Sequence, residues 1–466
     1  MAAVMVEIAP KRLLMVAYHF PPLAGGSGIL RTLGFARHLP GYGWQPLILS
    51  PAPLAYAQRS DRQLKTQLKT QLKTKLKTKL DTQLDAQLAQ IGTQATVRRT
   101  LALDAARHLA IAGRYPRCLA LPDRWSSWWL SAVPAGLRMI RQYRPDAIWS
   151  TYPIATAHLI AMTLQKLSGL PWIADQRDPM LDDSDPLAPY PPDARLYRMH
   201  AWIEQRIAAR SAAIVCTTPG AIEAHQRRLP QLRRERFSLI ENGHDDDDDD
   251  DDDEGAEATP LEVPPSQHSQ RSDHARFLLL HSGVIYPSER DPQALFEALA
   301  KLRHDGVLHA SNFQLVLRAT GHDAWLASLL ETYRIPDLVR LEPLQSHGAA
   351  RREMLAADGL LLLQAANCNA QIPAKLYEYL RCRRPILALT DLAGDSAAKL
   401  RHCGIDTIGQ LASSADCARA LLRFLALARQ GRAPLASATA IAQQSRQARS
   451  EALANLLDQI SHRRPA

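Results

Sequence analysis

At 466 residues with 46% hydrophobic content, the chain is long enough for two or three domains of about 150 residues, each with its own core. That excludes a disordered tail or a minimal binding module. The formal charge of +9 conceals an asymmetry, because setting aside the ten acidic residues at 245–254 leaves 56 basic against 37 acidic, a balance of +19; such a body suits an anionic ligand or surface, whether phosphates, nucleic acid or acidic lipid.

The start, MAAVMVEIAPKRLLMVAYHFPPLAGG, has a basic pair and then only eight largely apolar residues before Pro21 and Pro22. This is too short for a membrane span of about 20 residues and lacks a small-residue cleavage site, so it reads as a buried first strand at 12–20. A glycine-rich turn follows, and Leu30, Leu33, Ala36 and Leu39 give helical spacing over 28–39. Further short apolar runs predict strands at 44–50, 147–150, 172–175 and 213–217. A second series is expected at 277–280, 313–319, 339–341, 359–364 and 385–390. Strands alternating with helical stretches predict two successive doubly wound α/β sheets, with a boundary near 241–275. No stretch approaches about 18 continuous apolar residues, so a cytoplasmic protein with at most peripheral membrane contact is expected.

Two segments break the rhythm. From 63 to 90 the chain repeats a four-residue unit (QLKT, KLKT, KLDT, QLDA), with leucines at 64, 68, 72, 76, 80, 84 and 88. Four residues turn a helix by about 400°, so each leucine drifts by about 40° and the stripe cannot stay against one flat core. The segment reads as a solvated helical insertion or as lysines docking on acidic lipid. The acidic run 245–254 and the polar stretch to 273 read as an extended linker, or as an electrostatic shield over a basic cleft. The tract lacks the glycine-bearing turn of a calcium loop. Six cysteines occur without a C-x-x-C pair, so neither a zinc site nor a disulfide framework is signalled.

Three stretches can carry chemistry. Pro21-Pro22-Leu23-Ala24-Gly25-Gly26-Ser27-Gly28 lies between the first strand and the first helix, where glycine lets backbone approach a ligand and a helix N-terminus favours phosphate. It is not G-x-G-x-x-G, and a mere tight connection is the alternative. Asp175-Gln176-Arg177-Asp178 ends a strand before Pro179, placing charges at the carboxyl edge where open α/β sheets bind ligands; a loop-stabilising Arg177 to Asp178 salt bridge is the other reading. Pro373 suits the first turn of a helix on which Lys375 and Glu378 share a face. There Lys375 and free N–H groups suit a diphosphate and Glu378 a ribose, unless the two are an ordinary surface pair. Asp183-Ser184-Asp185 has metal-site spacing but lies in a proline-rich loop, and Trp125, Trp128 and Trp129 suit core packing, sugar stacking or a bilayer interface.

The chain resembles the family 4 retaining glycosyltransferases of GT-B fold, in particular a bacterial subgroup acting in cell-surface polysaccharide assembly. The matching stretches, in the family's order, are HFPPLAGGSG, PDAIWSTYP, PWIADQRDP, the ENGHD step at 241–245, HSGVIYPSERDP and IPAKLYEYLRCRRPILAL. The resemblance implies two Rossmann-like domains facing a cleft. The acceptor-side domain would span 1–240 with a low-complexity insertion at 60–92, and an acidic linker 241–275. A nucleotide-sugar domain would follow at 276–432, with a helical tail at 433–466.

It further implies transfer from a nucleotide-diphosphate sugar to a glycan or polyprenyl-linked acceptor, without metal or other cofactor, and with contact to acidic membrane lipid as an option. Gly25 and Gly26 would lie near the donor diphosphate, Arg177 and Asp178 near the reacting sugar as catalytic candidates. Arg290 and Lys375 would neutralise the departing diphosphate, and Glu378 would match the second glutamate of the family's E-x7-E motif. The first falls at 370, where this chain has Ala370; Asn367, Asn369 or Gln371 would substitute for it, or donor binding is weakened. A catalytically impaired GT-B-fold scaffold or glycan-binding partner is the second reading, a sugar-nucleotide epimerase the third. Nucleic acid is not expected as a partner, because the basic residues are dispersed and no aromatic-interleaved motif occurs.

Overall fold

The computed structural model of the chain describes residues 10–23, 27–56, 95–183, 189–245 and 276–461. The repeat at 63–90, all of the acidic tract after Asp245, and Gly25 and Gly26 lie outside the described residues. The chain forms two units, Met1–Asn242 with Arg446–Ala466 and Gly243–Ser445.

The first unit is built on strands β1 Lys11–Val16, β2 Trp44–Pro51, β3 Thr96–Thr100, β4 Ala147–Thr151, β5 Trp172–Gln176, β6 Ala213–Cys216 and β7 Phe237–Leu239. They form one sheet in the order β3-β2-β1-β4-β5-β6-β7, and every pairing is parallel. Because successive side chains point to opposite faces, Leu14 and Val16 enter one core while Leu13, Met15 and Ala17 enter the other. A sheet buried on both faces reads as continuous apolar strands, as β1 and β4 do.

The helix Arg446–Ser461 belongs to this unit although it ends the chain, a difference from the separate tail expected at 433–466. Its Leu453, Leu457 and Ile460 enter the core shared with Phe35 and Trp44, and its Asp458 accepts hydrogen bonds from Lys11 (2.7 Å) and the Trp44 indole (3.0 Å). Gly34 is what lets the helix approach Ser27–His38, since a Cβ there would lie 2.8 Å from the Arg446 side chain. Trp128 is a fully buried core residue bonded to Thr100 (2.8 Å), whereas Trp129 is partly exposed.

The second unit repeats the plan with β8 Phe277–Ser282, β9 Phe313–Arg318, β10 Val339–Glu342, β11 Gly359–Leu363, β12 Ile386–Leu389 and β13 Ile408–Gly409. Their order is β10-β9-β8-β11-β12-β13, all parallel. In β11, GLLLL, Leu361 and Leu363 face one core and Leu360 and Leu362 the other. Both sheets are therefore doubly wound, and each reverses its strand order once, beside β1 and β4 in the first and beside β8 and β11 in the second. Ligands of open α/β sheets bind outside the carboxyl ends of strands at that reversal. The two sheets of the sequence reading are thus present, while β3, β7 and β13 are additional.

Candidate functional site

In the second unit the reversal point carries a cluster of side chains that sequence spacing does not bring together. Strand β8 ends in His281 and Ser282 and turns at Gly283, whose φ of +121° is a conformation L side chains rarely adopt. The Gly283 N–H donates to the Arg318 carbonyl (2.9 Å) and the Ile285 N–H to the Thr320 carbonyl (2.9 Å), so the turn is laced to the end of β9. On its other side the Ala365 N–H donates to the Glu289 carbonyl (2.7 Å), tying the same segment to the end of β11.

The helix Ala374–Arg381 follows with Pro373 as its N-cap, and buries Leu376, Tyr377, Tyr379 and Leu380. Its polar side therefore faces away from the core, and Lys375 reaches back along the helix N-terminus. The Lys375 ammonium donates to His281 Nε2 (2.9 Å), and a Cβ on Gly283 would lie 3.0 Å from its Nζ. His281 is wholly buried and its Nδ1–H donates to the Leu361 carbonyl (2.9 Å), which fixes Nε2 as the acceptor. The Ser282 N–H donates to the Tyr379 hydroxyl (2.9 Å), locking strand to helix.

Arg290 completes the cluster. Its guanidinium lies 5.3 Å from the Tyr286 ring and donates to the Val284 carbonyl (2.8 Å), while its Nε is buried with no partner among the described residues. Burial, and then the charge of Arg290, hold the Lys375 ammonium well below its usual pKa. Burial, Lys375 and Arg290 likewise lower His281 and keep it neutral. Among the described residues no carboxylate pairs with Lys375. Arg290 also lies 3.8 Å from the partly exposed carboxylate of its neighbour Glu289, whereas Lys375 rests on a neutral group, so two cations share one carboxylate and the excess positive charge suits an anion.

Around Ala370 the structure separates the three side chains that could replace a carboxylate. The Asn369 amide donates to Asp391 (2.7 Å) and its oxygen lies against Gly394, where a Cβ would come within 2.8 Å. The Asn367 amide donates to the Ser288 carbonyl (2.9 Å). Both serve the surrounding loops, whereas the Gln371 side chain makes no hydrogen bond to the described residues.

The carboxyl edge of the first sheet is arranged differently. Arg177 and Asp178 form a 2.5 Å ion pair in which the arginine is buried and the aspartate side chain 46% exposed. The Arg177 guanidinium presses on Gly28, where a Cβ would lie 2.6 Å from Nη1. His19 stands beside it, its pKa pushed down to about 3 by burial and by Arg177. Asp175, the first charge of the same motif, points inward instead. It is wholly buried, accepts from Nη2 and Nε of Arg31 (2.8 and 3.0 Å) and accepts from Thr151 (2.9 Å). Arg31 also bonds the carbonyls of Ile240 and Glu241, so this pair anchors the end of the sheet.

His281 and His19 were not singled out in the sequence. His281 is the penultimate residue of β8 and His19 lies in the bend after β1, places where a histidine reads as ordinary, and the His281 contact to Lys375 spans 94 residues.

Residues 82–243 match the family model described as a glycosyl transferase 4-like domain. A comparison with curated proteins returned no match. Among solved structures, HepE of Anabaena in complex with UDP superposes with a TM-score of 0.59 at 12% identity, covering 96% of this chain and 100% of that one. Sucrose-phosphate synthase of Thermosynechococcus elongatus gives 0.57 at 15% identity, covering 97% and 96%. WaaG, a glycosyltransferase involved in lipopolysaccharide biosynthesis, gives 0.55 at 15%, covering 96% and 99%. Identities this low speak to the fold alone. Two doubly wound parallel sheets matching such structures over nearly their whole length give the chain the GT-B fold, with a glycosyl transferase 4-like match over 82–243.

Proposed function

We propose that the protein is a metal-independent, retaining glycosyltransferase that moves a sugar from a nucleotide-diphosphate sugar to a glycan or polyprenyl-linked acceptor in cell-surface polysaccharide synthesis. The observation that carries this reading is the pair of cations Lys375 and Arg290, held without a carboxylate partner for Lys375 at the strand-order reversal of the second sheet. When the bond from sugar carbon to phosphate oxygen breaks, negative charge gathers on the leaving diphosphate. Fixed cations and helix N–H groups there stabilise that charge more than they stabilise the intact donor. Glu378, on the next turn of the same helix, is the candidate for the ribose. Gly25 and Gly26 would border the diphosphate, and Arg177, Asp178 and the neutral His19 would act on the acceptor side.

The solved complexes of HepE with UDP and UDP-glucose support a nucleotide-sugar donor, and the likeness to WaaG supports a surface-polysaccharide role. Peripheral contact with acidic lipid is supported by the stretch 105–122, which has no acidic residue and carries Ile111 (85% exposed) and the exposed Leu119 with Arg107, Arg114 and Arg117, the last of them 3.9 Å from Asp193. No helix among the described residues is long and apolar enough to cross a membrane.

Ala370 favours a second reading, a GT-B-fold scaffold or glycan-binding partner that has lost transfer, because the amide nitrogens of Asn367 and Asn369 are spent on loop contacts. A panel of nucleotide sugars with undecaprenyl-linked acceptors distinguishes the two. Transfer abolished by K375A supports the enzyme. No transfer and no thermal shift with any nucleotide contradicts it.

A further inference from the structure

We infer that His281 is a positioning residue for the transfer, a neutral acceptor that holds the Lys375 ammonium beneath the Gly283 turn, next to Arg290. This rests on the reading of Lys375 as a diphosphate ligand.

The buried ring meets the Leu361 and Gly283 backbone and the Lys375 amine. The ring is fully buried on the central strand of the second sheet, and its Nδ1–H is spent on the Leu361 carbonyl of β11 at 2.9 Å. A single tautomer follows, and its remaining lone pair points at Lys375 Nζ at 2.9 Å. A buried acceptor of this kind is costly unless it is bonded. A lysine has a flexible four-carbon stem and three rotatable donors, so nothing in its own structure fixes where its charge sits. Here the stem is pinned from two sides, by the imidazole and by Gly283, whose missing side chain leaves room for Nζ. A carboxylate in place of the imidazole would also pin the ammonium but would cancel its charge. A protonated imidazole would add a third positive charge beside Lys375 and Arg290, and burial prevents that form. A neutral acceptor directs the ammonium and leaves its charge for the ligand, as outer groups do around a metal ligand.

The test uses two substitutions that divide the ring's bonds. An asparagine carboxamide reaches about as far as Nδ1 and keeps the bond to Leu361, whereas a glutamine carboxamide reaches about as far as Nε2 and keeps the bond to Lys375. Binding of UDP, GDP and ADP to the full-length protein is measured by calorimetry, with the matching free nucleosides as controls.

For the diphosphate that binds wild type, H281N is expected to raise the dissociation constant about tenfold, the size of one lost hydrogen bond to a charged group. H281Q is expected to stay within about threefold, and nucleoside binding to change in neither. In a K375M background H281N should cause no further loss, which separates positioning from general damage to the fold. Wild-type affinity in H281N, equal losses in the two variants, or a further loss beyond K375M would each overturn the inference while leaving the glycosyltransferase reading intact. No binding of any nucleoside diphosphate by wild type would overturn both.

Discussion

The carboxyl edges of the two sheets use the same architecture and opposite electrostatics. In the first unit the exposed end of the motif is a neutralised pair, Arg177 with Asp178 at 2.5 Å, beside an uncharged His19. In the second unit Lys375 and Arg290 are neighbouring cations, and the group that holds Lys375 is a neutral imidazole. Arg290 has the Glu289 carboxylate 3.8 Å away but Lys375 has none, and an edge with this excess of positive charge is suited to a diphosphate. An edge that pairs its arginine internally is suited to orienting a neutral sugar or handling a proton. The basic excess of the chain, +19 without the acidic tract, therefore says less about function than the placement of two of its cations.

Removing one of those cations breaks the comparison most severely. K375A is expected to lower kcat/KM at least about 100-fold, the scale for loss of a preorganised electrostatic group, as read in a transfer assay. The equivalent change on the other edge, R177Q, should leave nucleoside diphosphate affinity within about threefold while reducing transfer, and an equal loss of nucleotide affinity in both would erase the distinction. G283V is expected to weaken nucleotide binding about tenfold, because it places a side chain at φ +121° and against the Lys375 amine.

The pH responses sharpen the contrast. As pH rises, the depressed Lys375 loses its proton before an ordinary lysine would, so diphosphate affinity should fall on the alkaline side; in K375R that fall should be absent, since arginine stays charged. Stability responds on the acid side. His158 is wholly buried with a folded pKa of about 3 against 6.5 for the free side chain. Between those values the unfolded chain binds a proton that the folded chain refuses, so stability present above pH 6.5 is lost as pH falls. At pH 5 the loss from His158 alone is about 2 kcal/mol, measurable by urea unfolding. The smallest expected effect is A370E, a few-fold gain in donor-sugar affinity. A gain in transfer as well would mean that the alanine limits turnover rather than abolishing it.

Much of this was legible in the sequence, and the exceptions have physical causes. Strands buried on both faces, such as GLLLL at β11, announce themselves as apolar runs. The edge strand β3, TVRRT, carries Arg98 exposed and Arg99 half-buried on Ser50 (2.7 Å), so it shows no apolar run, and β7 and β13 are only three and two residues long. The terminal helix reads as a tail because its partners, Phe35 and Trp44, lie at the other end of the chain. At the site, Lys375, Glu378 and Arg290 stood out through their motifs. His281 did not, because its role depends on a contact made only when β8 and the helix after β11 meet. Likewise nothing in the spacing of Asn367 and Asn369 predicts that both amide nitrogens are taken up by neighbouring loops.

The most direct test is a crystal structure of the full-length protein with UDP, or with whichever nucleoside diphosphate binds. The diphosphate is expected at the end of β8, within hydrogen-bond distance of Lys375 Nζ and close to Arg290, with Nζ still on His281. A diphosphate bound at the Arg177–Asp178 edge, or at the second sheet with Lys375 turned away from it, would contradict the account.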